Sequence, residues 1–449
     1  MSIYGILHGM KKLTLLLLLP PAFVLLCWAL LSVNIPDLDD FDAILKHLAA
    51  PLSDRLVDMF APHNEHRIAL TKLTADAILA VNGIFSFRWM ILCGNLLLIA
   101  YGFLWLKIFR AGRRHLAPIG IGILWLMLSL AHRENMLWAM TSIQNVAVML
   151  FALLSLVLGM GAGPFRLAAT VSCATIATFS SGGGVFIWPC LLMCEWFGER
   201  RRGNLVTILV AAIAMVLLFA FVLPSATTPP HVVQDAPKPG ETILASTTIM
   251  NFSVQLTPMF IVRHIGYAAS LFISLMGGAA TFPWACLALG ILVVALMTPI
   301  AADFRRHAGD PVFCFLVFLI ANAIPCAVFR AVEFMPSVPS RYCIVSVSIL
   351  AATLYLTKIE MPARRIAVCL ICFAVFCNAW WFGKMAERAD NLRRNFLMWP
   401  EDVTGLAYPA DRLNSANQIL SECVRRGIYM PPKAKPGEKA PSHPLPVSW

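Results

Sequence analysis

Charge is what this chain has least of. Asp, Glu, Lys and Arg make up 13% of its 449 residues, against roughly 25% in soluble domains, and that scarcity excludes an ordinary water-solvated fold. No stretch outside the apolar runs is long enough for a large soluble catalytic domain. No small-residue cleavage site follows Trp28, so Lys11, Lys12 and the leucines after them read as an uncleaved first helix rather than a signal peptide. Of the 13 cysteines, Cys369 and Cys372 form a CxxC, but without polar surroundings or a second pair it reads as packing rather than zinc or redox chemistry. Most of the others lie within apolar runs, where a thiol behaves as a small hydrophobe. Cys423 stands alone in the C-terminal tail, which argues against a structural disulfide there.

What is present is hydrocarbon. Hydrophobic residues make up 59% of the chain, and the mean hydropathy is +0.75. Apolar runs long enough to cross about 30 Å of lipid recur along most of the sequence, and they predict an all-α integral membrane protein with about eleven spans. The expected spans are 13–33, 89–109, 116–131, 136–160, 167–179, 185–197, 205–223, 282–301, 312–329, 342–356 and 366–382. Residues 1–382 form the transmembrane unit, with long loops at 34–88 and 224–281, and 383–449 form a C-terminal tail. That tail reads as a peripheral helix pair with a disordered end.

Lys and Arg gather in alternate connections: Lys11 and Lys12; Arg110, Arg113 and Arg114; Arg166; Arg200 to Arg202; Arg305 and Arg306; Lys358, Arg364 and Arg365. Cationic short loops mark the cytoplasmic side. The N-terminus is therefore expected inside and, with an odd span count, the C-terminus outside. Much of the formal charge of +11 is topological on this reading, and it gives no reason to expect a nucleic-acid partner.

The outward connections carry the unusual chemistry. Asp37, Asp39, Asp40 and Asp42 crowd just beyond the first span. One or two of them would cap a short helix, while like-charge repulsion raises the pKa of at least one toward that of a useful base. His132, Arg133, Glu134 and Asn135 form a polar turn after the third span, with Trp138 placed to join an interfacial belt and Gln144 and Asn145 requiring partners inside the bundle. Gly182, Gly183 and Gly184 lie in SSGGGVFIWP with no Walker lysine after them, which excludes a nucleotide loop. Their backbone is suited either to an anion-binding nest or to a tight turn against a packed neighbour. Residues 224–281 begin Pro-rich and continue through an apolar stretch broken by Pro258, Arg263 and His264, which reads equally as surface helices or as a pair of spans. Arg341 opens a helix, where its charge opposes the dipole and calls for an anionic partner.

This order of features resembles the bacterial integral-membrane glycosyltransferases of the GT-C fold. It is carried by an acidic first loop with NEHRI, then ENMLW, FSSGGGVFIWP and SRY, over roughly the first 345 residues. The resemblance implies an enzyme of the bacterial inner membrane that moves a sugar from a polyprenyl-phosphate donor at the outer face. Its acceptor would be a cell-envelope glycan or glycolipid of the O-antigen or lipopolysaccharide kind. It further implies an acidic base in the first loop at Asp39 or Asp40, with Asp37 as a weaker candidate, and a second acidic position at Glu134. Glu65, His66 and Arg67 match the NEHR element. The donor phosphate falls to Arg341, with Arg133, Arg263 and the Gly182 to Gly184 backbone as alternatives. A divalent cation, Mg or Mn, remains open, since Asp37 and Asp39 have DxD spacing within a crowded cluster. A flippase for lipid-linked sugars is the competing reading, although the broken inverted repeats expected of a transporter are not evident. An acyl or phosphoethanolamine transferase is a third.

Overall fold

The computed structural model describes residues 3–63, 66–112, 114–161, 163–198, 202–218, 295–334, 340–357, 362–434, 436 and 438–447. All regular structure among them is helical, apart from two isolated bridges, His63 with His66 and Phe85 with Tyr429. Four helices are long and apolar enough to cross a membrane: Thr14–Leu31 within α1 (Ile3–Leu31), α2 (Phe87–Gly112), α3 (Ala139–Gly159) and α4 (Ala363–Phe396). Five shorter apolar helices accompany them: Ala117–Met127, Gly182–Phe197, Asn204–Leu217, Pro311–Ala323 and Ser340–Leu356. The chain has the character of a helical membrane protein.

Helix α3 is the centre of the bundle: its most apolar window is 67% buried, against 22% for α1 and 17% for α4. It packs on α2 where Gly94 meets Ser142, and a Cβ on Gly94 would lie 2.4 Å from the Ser142 Cβ. The interior beside this contact is aromatic, with Tyr101, Trp105, Phe109, Phe315 and Phe318 fully buried in one cluster. In α1, Pro20 and Pro21 interrupt the helical ladder. A proline has no N–H to offer the carbonyl four residues earlier, and the indole of Trp125 supplies the missing donor to the Leu16 carbonyl at 2.9 Å.

A second, separate core caps one end of the bundle. It joins the first loop to the C-terminal tail through Phe41, Ile44, Leu45, Phe85 and Phe87 on one side and Leu420, Cys423 and Tyr429 on the other. The Leu38 N–H donates to the Ala407 carbonyl at 2.8 Å and the Phe85 N–H to that of Ile428 at 2.7 Å, while the Tyr429 hydroxyl donates to the Asn34 carbonyl at 2.6 Å. Cys423 is buried here, its thiol 3.3 Å from the Leu45 carbonyl.

The tail departs from the sequence expectation. Rather than ending near 382, α4 runs unbroken for 34 residues to Phe396, about 51 Å at 1.5 Å per residue and well beyond the hydrocarbon thickness. The expected disordered end is described as far as residue 447 and lies along α4, where Asn395 exchanges hydrogen bonds with Leu445 at 2.7 and 2.8 Å. The expected span 116–131 is helical over Ala117–Met127 and then turns at Leu130–His132. Most of 282–301 and all of 224–281 lie outside the described residues.

Candidate functional site

The aspartates of the first loop are sorted by the local backbone. Leu38 takes a left-handed φ of 47°, a conformation that costs a non-glycine residue about 1 kcal/mol or more. It separates Asp37 from Asp39, and the two carboxylates have different surroundings. Asp37 is buried against Arg388 of α4, with the guanidinium Nη2 donating to Oδ2 at 2.5 Å. Asp40 is also buried, and its oxygens accept the Met140 N–H at 3.0 Å and the Asp37 N–H at 3.2 Å. Met140 lies in the first turn of α3, so Asp40 caps that helix from another element by satisfying a donor the helix cannot. Asp42 accepts from the Tyr408 hydroxyl. Asp39 is half-buried, and its carboxylate makes no hydrogen bond among the described residues.

Burial pushes the Asp37 carboxyl above the usual range, partly offset by Arg388, with Glu134 and Asp39 adding to the rise. The Asp40 carboxyl is held well above that range by burial first and by the charge of Asp37 second. The acidic cluster is therefore electrostatically coupled to Glu134.

Glu134 sits in the short helix Arg133–Leu137 and is saturated with donors. Its Oε1 accepts the Ser340 N–H at 2.7 Å and the Ser340 hydroxyl at 2.9 Å, and its Oε2 accepts Arg341 Nη1 at 2.7 Å. Ser340 returns a bond, its Oγ accepting the Glu134 N–H at 3.1 Å. Asn135 donates to the Arg341 carbonyl at 2.8 Å and accepts from Asn145 at 3.1 Å. The anionic partner that the placement of Arg341 calls for is thus Glu134, within the chain. Arg341 retains 19% side-chain exposure, against 2% for Glu134. Trp138 is buried in the second core, and the Arg341 guanidinium lies over its ring at 5.6 Å. Of the two polar residues further along α3, Asn145 has its partner, whereas Gln144 Oε1 is buried without one among the described residues.

Arg133 is buried with its guanidinium 3.6 Å from the centre of the Trp381 ring. His132 beside it is fully buried, and desolvation pulls its imidazole down to about 4, which leaves it neutral at physiological pH.

The glycine-rich turn meets the same end of the molecule through the first loop. The Gly182 N–H donates to His66 Nδ1 at 3.2 Å, and Phe60 packs edge-on against Phe179 at 5.4 Å. Two of the three glycines are required by close neighbours: a Cβ on Gly183 would fall 1.5 Å from Asn322 Oδ1, and one on Gly184 would fall 1.9 Å from the Ala177 carbonyl oxygen. With the Gly182 N–H on His66 and the Gly184 N–H on the Ser181 carbonyl at 2.9 Å, the turn serves packing here. It does not present the successive free N–H groups of an anion nest. Arg67 donates to the Phe60 carbonyl, which ties the NEHR element to its own loop. Glu65 and Arg263 lie outside the described residues.

The structure thus gathers Asp37, Asp39, Asp40, Glu134, Arg133, Arg341, His66 and the glycines at one end of the bundle. Sequence reasoning missed Arg388, Ser340 and Tyr408. Arg388 had a readable signal, since no proline interrupts residues 363–399 and a continuous helix would carry it past the last span. Among the described residues no three His, Cys, Asp or Glu side chains are grouped to hold a metal ion. Of the DxD pair, Asp37 is already committed to Arg388. No family model, no curated protein and no solved structure matches the chain.

Proposed function

We propose that the chain is an integral-membrane glycosyltransferase of GT-C type, with about eleven spans, that transfers a sugar from a polyprenyl-phosphate donor to a cell-envelope glycan or glycolipid. The observation that carries this reading is the division of labour within one charged end of an apolar bundle. Asp37, Asp40 and Glu134 are each fixed by buried donors, and among the described residues no hydrogen bond engages the Asp39 carboxylate.

On this reading Asp39 takes the proton from an acceptor hydroxyl as its oxygen attacks the anomeric carbon of the sugar. The bond from that carbon to the phosphate oxygen breaks, and the polyprenyl phosphate leaves with the electron pair. A base of this kind contributes about 10²–10⁴-fold. The leaving phosphate needs positive charge, which Arg341 supplies from a position fixed by Glu134, with Arg133 nearby in sequence. Charge parity in the short loops supports placing this end outside, with the N-terminus in the cytoplasm of a bacterial cell and the tail in the periplasm.

The test is comparative mass spectrometry of lipid-linked and surface glycans from cells with and without the gene. Loss of one sugar from the surface glycan, with its polyprenyl-phosphate form accumulating, is the expected result. Unchanged glycans on both sides would count against transfer, and accumulation of the complete lipid-linked sugar inside the cell would favour a carrier.

A further inference from the structure

A cavity of about 520 Å³ lies on the flank of the bundle, apart from the acidic cluster, between α1, the helix Ala117–Met127 with its following turn, and α4. Its walls include Pro20, Phe23, Trp125, Leu128, Asn378 and Gly383. Two of the polar groups in these walls are already engaged. The Asn378 amide oxygen accepts the Leu130 N–H at 2.8 Å, and the Trp125 indole is spent on the Leu16 carbonyl freed by Pro20. What faces the cavity is mostly hydrocarbon, and a water needs two to four polar partners to settle in such a space.

The cavity lies between the two long helices that are least buried, and its flanks carry exposed apolar side chains: Leu18 at 57%, Leu19 at 43%, Val375 at 48% and Phe376 at 49%. In a membrane those positions meet lipid. At Gly383 an added Cβ would find nothing within 4 Å. The next residue, Lys384, holds its ammonium 4.5 Å from the Trp380 ring and 4.9 Å from the Trp381 ring. It directly follows the apolar part of α4, at the height where amphipathic side chains reach phosphate headgroups. An apolar slot with a cation beside one end is complementary to a hydrocarbon chain attached to an anion.

We infer that this cavity holds one acyl chain of a membrane glycerophospholipid whose phosphate lies on Lys384. The site goes beyond sugar transfer and does not depend on it, since it needs only a membrane around the helices. A lipid in this position would wedge α1 against α4, and α4 in turn carries Arg388 to Asp37.

The experiment uses the full chain in vesicles of phosphatidylethanolamine and phosphatidylglycerol, with a trace of phosphatidylglycerol bearing a diazirine on one acyl chain. After irradiation, the attachment sites are mapped by peptide mass spectrometry. Labelling within 19–23, 125–128 and 375–383 is expected to exceed that at the exposed residues Val206 and Val210 by at least about 5-fold, as for a retained rather than a passing chain. Gly383→Trp fills the slot and should cut the cavity labelling by about the same factor while leaving Val206 and Val210 unchanged. Val375→Trp approaches from the exposed side and serves if Gly383→Trp does not fold. Lys384→Gln should lower labelling by phosphatidylglycerol but not by a diacylglycerol carrying the same diazirine chain. Cavity labelling no higher than that of the exposed residues, or unaffected in a folded Trp variant, overturns the inference. So does displacement of the label by stoichiometric polyprenyl phosphate, which would assign the slot to that lipid instead.

Discussion

Replacing Arg388 with methionine probes the junction between the cap and the bundle. The substitution keeps side-chain length and packing on α4 but leaves Asp37 buried at 6% side-chain exposure without its cation. Removing one member of a buried pair costs about 3–5 kcal/mol, because the remaining charge has neither water nor a partner. The double variant Asp37→Asn with Arg388→Met removes both charges and should recover most of that loss, so a double-mutant cycle should give a coupling of about 2 kcal/mol or more. The loss should also depend on pH in a defined direction. Without Arg388 the folded-state pKa of Asp37 rises further above 3.8. Asp37 of the parent already binds its proton more tightly than the unfolded chain does, so the deficit of Arg388→Met is constant at low pH and grows only as pH rises from the parent's folded value to the variant's higher one, where the variant alone keeps the proton. The assay is the unfolding midpoint of purified protein in detergent, followed by tryptophan fluorescence at several pH values. Additive single losses, with coupling below about 0.5 kcal/mol, would refute the pairing.

The glycine-rich turn makes a graded prediction. Gly184→Ala meets the Ala177 backbone carbonyl, whereas Gly183→Ala meets the end of the Asn322 side chain, which can rotate away. Gly184→Ala should therefore cost about 3 kcal/mol and Gly183→Ala about 1; equal losses in unfolding midpoint would show that the turn is not seated as described. In the cap, burial alone would raise Asp58, but hydrogen bonds and charge from His47 and Lys72 hold its carboxyl at about 2. The shift from 3.8 corresponds to roughly 2 kcal/mol, and with 40% side-chain exposure solvent screening leaves about 1. That stabilisation is complete above pH 3.8 and is lost as pH falls through 2, so Asp58→Asn should lose stability at pH 6 and converge on the parent below pH 2. A loss independent of pH would exclude the ionic account.

The helical character was legible in the sequence because hydrocarbon thickness imposes a length on apolar runs, and α1, α2, α3 and α4 meet it. The convergence of the outer connections is legible through charge parity, which puts the acidic loop, ENMLW, the glycine turn and SRY on one side. Pairing was not legible. Nothing local to Arg341 names Glu134, 207 residues away, and nothing in the aspartate run tells Asp37 from Asp39. That distinction depends on a left-handed Leu38 and on an arginine 351 residues downstream of Asp37. The tail holds two helical stretches, the end of α4 and Leu413–Arg425, but their packing was not legible. KMAERADNLRRNF looks like a surface helix by composition, yet its Arg388, Leu392, Asn395 and Phe396 are buried against the first loop and the chain end.

The most direct test of the central claim is release of polyprenyl phosphate by purified protein supplied with a panel of polyprenyl-phosphate-linked sugars and total envelope lipid as acceptor. The account predicts that one sugar is consumed and that Asp39→Asn lowers the rate by about 10²-fold or more while eluting and melting like the parent. Full activity in a folded Asp39→Asn protein, or consumption of none of the sugars by the parent, would contradict it.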